Sequence, residues 1–580
     1  MLNKRHLLFV LLLVLVAALA ACSETEVPVT QIVRETVVEK ETVIQKETVV
    51  ETVVETVIEE KPVVVTATPA PQVSEPVVLR VGSTKPFKSA NKFGDYWYGV
   101  LSNLTSHDTL IKLGADMQPQ PWLATDWEIS QDSQTFTFTL AEGARWHDGT
   151  PLTAEDAKFS LEYYRDQVPS AGWMQGVIDT IEADGNRLIV NLQRPYGNLL
   201  TEFMTYSLVP KHVWETVDDP ETYQGADVAL GSGPFKLESW DETAGKYTFV
   251  ANADYFQGAP TVDRLEVEVF SNMDALVIAL AQGKVDVWWD YSGEFPYTHV
   301  PALLRAEDVE FASATFLGVP AALGFNLTRY PVSELAFRQA LAQAINYEQI
   351  AGLVFHGYGT APTAGFVPPT HPNFNAALPT LTFDPEQAAA QLDALGLVDS
   401  DGDGMRETPE GEDLVLNLLT RSDQASIMRS AELVVSNLNA LGIGADLTAV
   451  DSSTWVAIKD ELDYDIVFFR ATPWGTLMHA SHGSGYFDAR RTGAGVLHNL
   501  DAPEYLQMCD ARLATALPEA QRELDLQLQA LHQEYLPGIP LVWIDSVYPY
   551  RAGWENWVVD HIYGGVVNSF SWFQVQKKAD

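Results

Sequence analysis

A break in composition near residue 77 sets the limits for everything else in this chain. From Ser23 to about Val77, Glu-Thr-Val-Val units recur at 35–38, 47–50 and 51–54, with a Glu-Thr-Val-Ile variant at 55–58. The stretch holds no glycine and no aromatic residue, so it cannot assemble a globular core. Pro62, Pro69, Pro71 and Pro76 then enforce extended chain. A spacer is the favoured reading, because β-branched residues are mediocre helix formers; a self-associating helix is its rival. The remainder of the 580 residues, with most of the chain's aromatic residues, must supply the folded body.

Ahead of the spacer, Lys4, Arg5 and His6 precede an uncharged apolar run over residues 7–21. This is the pattern of a secretory signal, and it falls short of the ~20 residues of a comfortable membrane span. Its end, Leu19-Ala20-Ala21-Cys22, resembles a bacterial lipobox. The resemblance implies cleavage before Cys22 and a lipid anchor on its thiol, with two acyl chains giving stable attachment where one would not. Residues 1–21 are thus expected to be a lipoprotein signal peptide, 22–76 a stalk, and the body to lie outside the cytoplasm, in the periplasm or on the outer face of the membrane.

Charge and cysteine content narrow the body's role. A formal net charge of −42 repels phosphate backbones, which excludes nucleic acid as a partner. Two cysteines, Cys22 and Cys509, support neither a disulfide framework nor a Cys-rich metal cluster. The body's patterning is mixed α/β. Residues 135–140 alternate, with Phe136, Phe138 and Leu140 on one face and threonines on the other, which predicts a half-buried strand. Thr153 followed by Glu155 and Asp156 predicts a capped helix start; Asp384-Pro385 predicts another, ended by Gly396. Further strands are expected at 77–81, 186–192, 235–240 and 264–270. A strand at 414–419, a helix at 425–441 and a strand at 443–450 predict a parallel or mixed sheet. Two such regions, divided near residue 330, predict a two-lobed body.

Four segments carry a closer likeness. The first runs from Leu140 through Arg145-Trp146-His147-Asp148-Gly149 to Asp156; Val209-Pro210-Lys211-His212-Val213-Trp214 follows. Next comes Gly231-Ser232-Gly233-Pro234-Phe235, and last Gly324-Phe325-Asn326 with Phe337-Arg338-Gln339-Ala340-Leu341 behind it. In order and spacing they resemble family 5 solute-binding proteins, the oligopeptide, dipeptide and nickel receptors of ABC importers. The resemblance implies a periplasmic-binding-protein type II fold: lobe I over 77–330 with an inserted subdomain, lobe II over 331–550, and 551–580 returning to lobe I. It implies hinge closure over a peptide or similar small polar solute and delivery to permease and ATPase subunits, with no covalent chemistry and no required cofactor. The receptor is expected to act as a monomer. By the same resemblance Gly231–Pro234 is placed near the crossover between lobes.

The bland readings of these motifs mostly prevail. His147 lacks any accompanying nucleophile, so Asp148-Gly149 is expected to be a turn rather than acid–base machinery. Arg338 is expected to sit in a buried structural pair. A secreted hydrolase using paired carboxylates and a ligand sensor without transport are the rival functions; no nucleophile elbow or metalloprotease helix supports the former.

Ligand candidates cluster after a strand expected at 465–469: Arg470, Trp474, Met478, His479, His482 and Tyr486. Strand ends are where α/β sheets place ligands. The peptide-binding branch carries an aspartate in the comparable loop for a peptide amine, and none is present here. Arg470-Ala-Thr-Pro-Trp474-Gly475 looks instead somewhat like the nickel-receptor branch, so a nickel or metal-chelate receptor is the alternative. His479 and His482 beside Met478 suit a borderline metal, or hydrogen-bond substrate or solvent. Tyr96, Trp97 and Tyr98 from the first lobe, with Phe325 and Asn326, are added as cleft candidates. Separately, residues 399–410 fit the calcium-loop pattern, with Asp399, Asp401, Asp403, Met405, Glu407 and Glu410 at ligand positions or between them. A strand rather than a second helix follows, so a structural Ca2+ there and an acidic solvated turn stand as alternatives.

Overall fold

The computed structural model describes residues 75–291, 295–473, 486–490, 497, 500–560, 562 and 565–578. The signal segment, Cys22 and the stalk lie outside the described residues, as do Trp474, Met478, His479 and His482.

The alternating segment forms the strand Thr135–Leu140, with Phe136, Phe138 and Leu140 buried. It sits in a four-stranded antiparallel sheet in the order Ala124–Ile129, Thr135–Leu140, Arg187–Leu192, Ile178–Asp184. Register Phe136↔Val190 and Phe138↔Leu188 stacks these apolar side chains across neighbouring strands. The helix Ala154–Gln167 covers that face. It starts as expected: Asp156 Oδ2 accepts from the Thr153 backbone N–H at 2.9 Å, closing a capping box.

Val78–Ser83 lies inside an eight-stranded sheet, parallel to Arg264–Val269 on one side and Val287–Trp288 on the other. The five-stranded sheet is built around Val415–Arg421, parallel to Gly444–Val450 and Ile466–Ala471, with the helix Ala425–Asn439 between the first two in sequence. Val319–Phe325, buried along its whole length, runs antiparallel to Ile466–Ala471. The chain passes from the large sheet to the small one between Val309–Thr315 and Val319–Phe325. The short strand Gly359–Thr360 pairs back onto Trp543–Arg551 of the large sheet, and the chain finally returns between Gly538–Pro540 and Trp543–Arg551, which also pairs with Val309–Thr315 and Val287–Trp288.

Two expectations are corrected. Gly231–Pro234 does not lie at any of the passages between the large and small sheets. The Gly233 N–H donates to Ser106 O at 2.9 Å and the His147 N–H to Gly231 O at 2.8 Å. The segment therefore closes the seam between the four-stranded unit and the eight-stranded sheet. A Cβ on Gly231 would stand 1.9 Å from Ser106 O, which is why glycine is required. Arg338 is buried, but its hydrogen bonds go to the carbonyls of Leu536, Val332, Ser333 and Tyr535 rather than to an acid. It ties the helix Leu335–Ala344 to the end of the helix Pro518–Tyr535. His147 is structural as well, with Nε2 3.0 Å from Gly233 O, and burial pulls its pKa down to about 4.

Candidate functional site

Parallel strands deliver their C-terminal ends to one side of a sheet, and here both sheets direct such ends at a shared region. Lys85 follows Val78–Ser83, Asp290 and Tyr291 follow Val287–Trp288, Asp423 follows Val415–Arg421, and Arg470 closes Ile466–Ala471. Asp95 contributes by its cap. It caps the helix Tyr96–Thr105, accepting from the Trp97 N–H at 2.9 Å and the Tyr98 N–H at 3.1 Å. That cap fixes Tyr96 and Trp97 in the first helical turn, beside Lys85 and Tyr291.

Lys85 Nζ lies 2.8 Å from Asp290 Oδ1 and 4.4 Å from the centroid of the Trp97 ring. One face of Trp97 is therefore already occupied by the protein's own cation. Tyr96, Trp97 and Tyr291 form a triangle with centroid separations of 5.0, 6.2 and 6.5 Å, and Tyr96 remains 62% exposed. Across from them, Arg421 makes a bidentate pair with Asp423, Nε to Oδ1 at 2.9 Å and Nη2 to Oδ2 at 2.6 Å. Arg470 is half-buried, and no ion pair joins it to another described residue. Its field reaches Asp290, Asp423 and Tyr486. Burial pushes the Asp290 carboxyl up, while its ion pair with Lys85 and the more distant charge of Arg470 hold it down. Such an arrangement can stack a flat group on Tyr96 and Tyr291 and present a guanidinium to an anionic one.

Of the residues expected from sequence, Tyr96, Trp97 and Arg470 are brought together. Tyr98 is not with them: it is fully buried and stacked on Tyr247 at 5.8 Å, because one residue along a helix turns the side chain to the core. Phe325 and Asn326 are also misplaced. Register Val319↔Ala471 and Phe325↔Ile466 puts them at the opposite end of the sheet from Arg470. Asn326 there donates to Leu462 O and Tyr464 O, both at 2.9 Å. Tyr486 is buried in an aromatic cluster with Phe366 and Phe469, each 6.0 Å away, rather than open to a ligand. Sequence reading missed Lys85, Asp290, Tyr291, Arg421 and Asp423; the available signal was their place just after or at the end of an apolar strand.

In the acidic loop, Asp399, Asp401 and Asp403 bring carboxylate oxygens within 4.8 Å of one another. Both Asp399 oxygens accept backbone N–H groups, from Gly402 at 2.7 Å and Gly404 at 3.0 Å, and Asp403 accepts from the Met405 N–H. Glu407 turns inward to accept from the Ser400 N–H at 2.8 Å, and Glu410 is not part of the carboxylate trio.

Residues 118–490 match the family described as bacterial extracellular solute-binding proteins, family 5 (middle region). The chain is 25% identical over 384 residues to the nickel-binding periplasmic protein of Escherichia coli, covering 64% of this chain and 70% of that one. It is 27% identical over 281 residues to a putative ABC transporter peptide-binding protein of Brucella ovis, where the match spans about half of each chain, 47% and 51%. Among solved structures, NikA from Brucella suis in complex with Fe(III)-EDTA superposes with a TM-score of 0.74 at 21% identity, covering 86% of this chain and all of that one. The two-lobed type II periplasmic-binding-protein fold is shared. No described helix is long and apolar enough to cross a membrane.

Proposed function

Because the chain belongs to the bacterial extracellular solute-binding proteins of family 5, we propose that it is the solute receptor of an ABC importer. It captures a peptide or similar small polar solute between its two sheets and delivers it to permease and ATPase subunits. The observation that carries this reading is the meeting of Lys85, Asp290, Tyr96 and Tyr291 with Arg421, Asp423 and Arg470 at facing strand ends. An anchored tether at Cys22 with the 22–76 spacer fits a receptor that works beside a membrane-embedded partner, on the outer side of that membrane. Its relatives bear the names of binding proteins rather than enzymes, and affinity is the output proposed here.

A nickel or metal-chelate receptor is the second reading, favoured by the E. coli relative's name and by a loop sequence after Arg470 that holds no aspartate. Native mass spectrometry of gently purified full chain separates the two: a retained mass that persists after chelator treatment and fragments as a peptide supports the first. A mass lost with its metal supports the second. Turnover of a bound solute into products would overturn both.

A further inference from the structure

The four-stranded unit touches the body a second time, far from its seam with the large sheet. The turn between the helices Pro503–Leu513 and Pro518–Tyr535, carried by the core of the five-stranded sheet through Tyr505, Cys509 and Leu528, reaches across to it. The Gly197 N–H donates to Leu513 O at 2.7 Å, and Gln521 Nε2 donates back to Gly197 O at 2.7 Å. The Ala516 N–H donates to Ser133 Oγ at 3.0 Å, and Ala516 is buried in the core of the four-stranded unit. Two features show a fitted contact. Ser133 is buried in the left-handed region at φ 56°, a conformation L side chains rarely adopt, at the turn between Ala124–Ile129 and Thr135–Leu140. A Cβ on Gly197 would stand 2.1 Å from Thr515 O and 2.9 Å from Arg512 O.

The two partners belong to different bodies. On one side the four-stranded unit is fused to the eight-stranded sheet through Ser106, Gly231 and Gly233, and through buried Asp108, which accepts from Trp122, Ser232 and Tyr255, each at 2.8 Å. On the other, Arg338 fixes the end of the helix Pro518–Tyr535 to the five-stranded sheet's own helix layer. A motion that swings the five-stranded sheet away from the four-stranded unit therefore breaks this contact. We infer that Ser133 and Gly197 with Leu513, Ala516 and Gln521 form a clasp that holds the two lobes closed independently of solute and sets how readily the site opens. Its purpose rests on the solute-capture reading; its geometry does not.

The test uses ligand-free full chain, so it reads the clasp whether or not the capture reading stands. Spin labels at Asp132→Cys and Glu519→Cys report the distance across the clasp, while hydrogen exchange reports the Gly197 and Ala516 amides. In the unmodified chain those amides exchange faster than core amides at Phe138 and Phe468, because opening is sub-global. Gly197→Val broadens and lengthens the distance distribution and speeds exchange at Ala516 by about tenfold; Gln521→Ala does so by a few-fold. Distances unchanged in Gln521→Ala, or clasp amides exchanging only together with the core, would overturn the clasp. If Gly197→Val does not fold, Gln521→Ala and the unmodified chain still decide.

Discussion

Arg512 Nε lies 2.7 Å from Asp525 Oδ1, and Asp525 has no solvent exposure. The other Asp525 oxygen accepts from Asn373 Nδ2 at 2.6 Å, so the carboxylate is paired on both sides. The pair fixes the two helices whose turn forms the clasp.

Removing one partner leaves a charge buried without its counter-ion. Asp525→Ala is therefore expected to destabilise by about 3–5 kcal/mol, far more than a solvent-exposed pair would lose. Urea unfolding followed by tryptophan fluorescence checks this; a midpoint within error of the parent would show that the pair contributes nothing.

Arg470 stands differently, because no described ion pair depends on it. Arg470→Gln should lower the unfolding midpoint less than Asp525→Ala does and weaken binding of the solute recovered from the native protein by about 10- to 100-fold, the worth of a charge-assisted hydrogen bond. Isothermal titration calorimetry decides. Undiminished affinity would remove Arg470 from the site.

At the seam, Gly231→Ala should destabilise by about 1–3 kcal/mol or more, since its Cβ would overlap Ser106 O. The loss is steric, so Gly231→Ser should be no better tolerated. Thermal melting of both variants beside the parent provides the measurement.

His532 gives a pH prediction. Its ring is buried between Phe366 and Phe487, with Nδ1 3.0 Å from Ala364 O, and burial lowers its pKa to about 4 from 6.5. The unfolded chain takes up a proton near pH 6.5 that the folded chain refuses until about pH 4. Stability from this residue is thus complete above pH 6.5 and is lost as pH falls toward 4, on the order of 3 kcal/mol in all. His532→Asn keeps a side-chain N–H donor without a titrating ring, so its stability should fall less steeply between pH 6.5 and 4. Parallel slopes for parent and variant would contradict the assignment.

Much of the local structure was legible in the sequence because it depends on residues close in the chain. The Thr153–Asp156 box, the 135–140 alternation and the Asp384 cap, which accepts from the Gln387 N–H at 2.9 Å, are all short-range devices. The parallel pairing of Val415–Arg421 with Gly444–Val450 followed from the strand–helix–strand order. Boundaries moved by one or two residues, as helix and strand ends do.

The sequence by itself determined where a core was possible, a subset of the helices and strands, and the family likeness, since apolar period, caps and motif spacing are written along the chain. Only tertiary structure decided which strand ends share a site. Whether Phe325 or Lys85 lies near Arg470 depends on the antiparallel register Phe325↔Ile466 and on a second sheet arriving opposite. The contact of Ser133 with Ala516, 383 positions apart, is invisible to any local pattern. Packing brings such residues together after the chain has folded back on itself, and no propensity of either residue encodes the other's address.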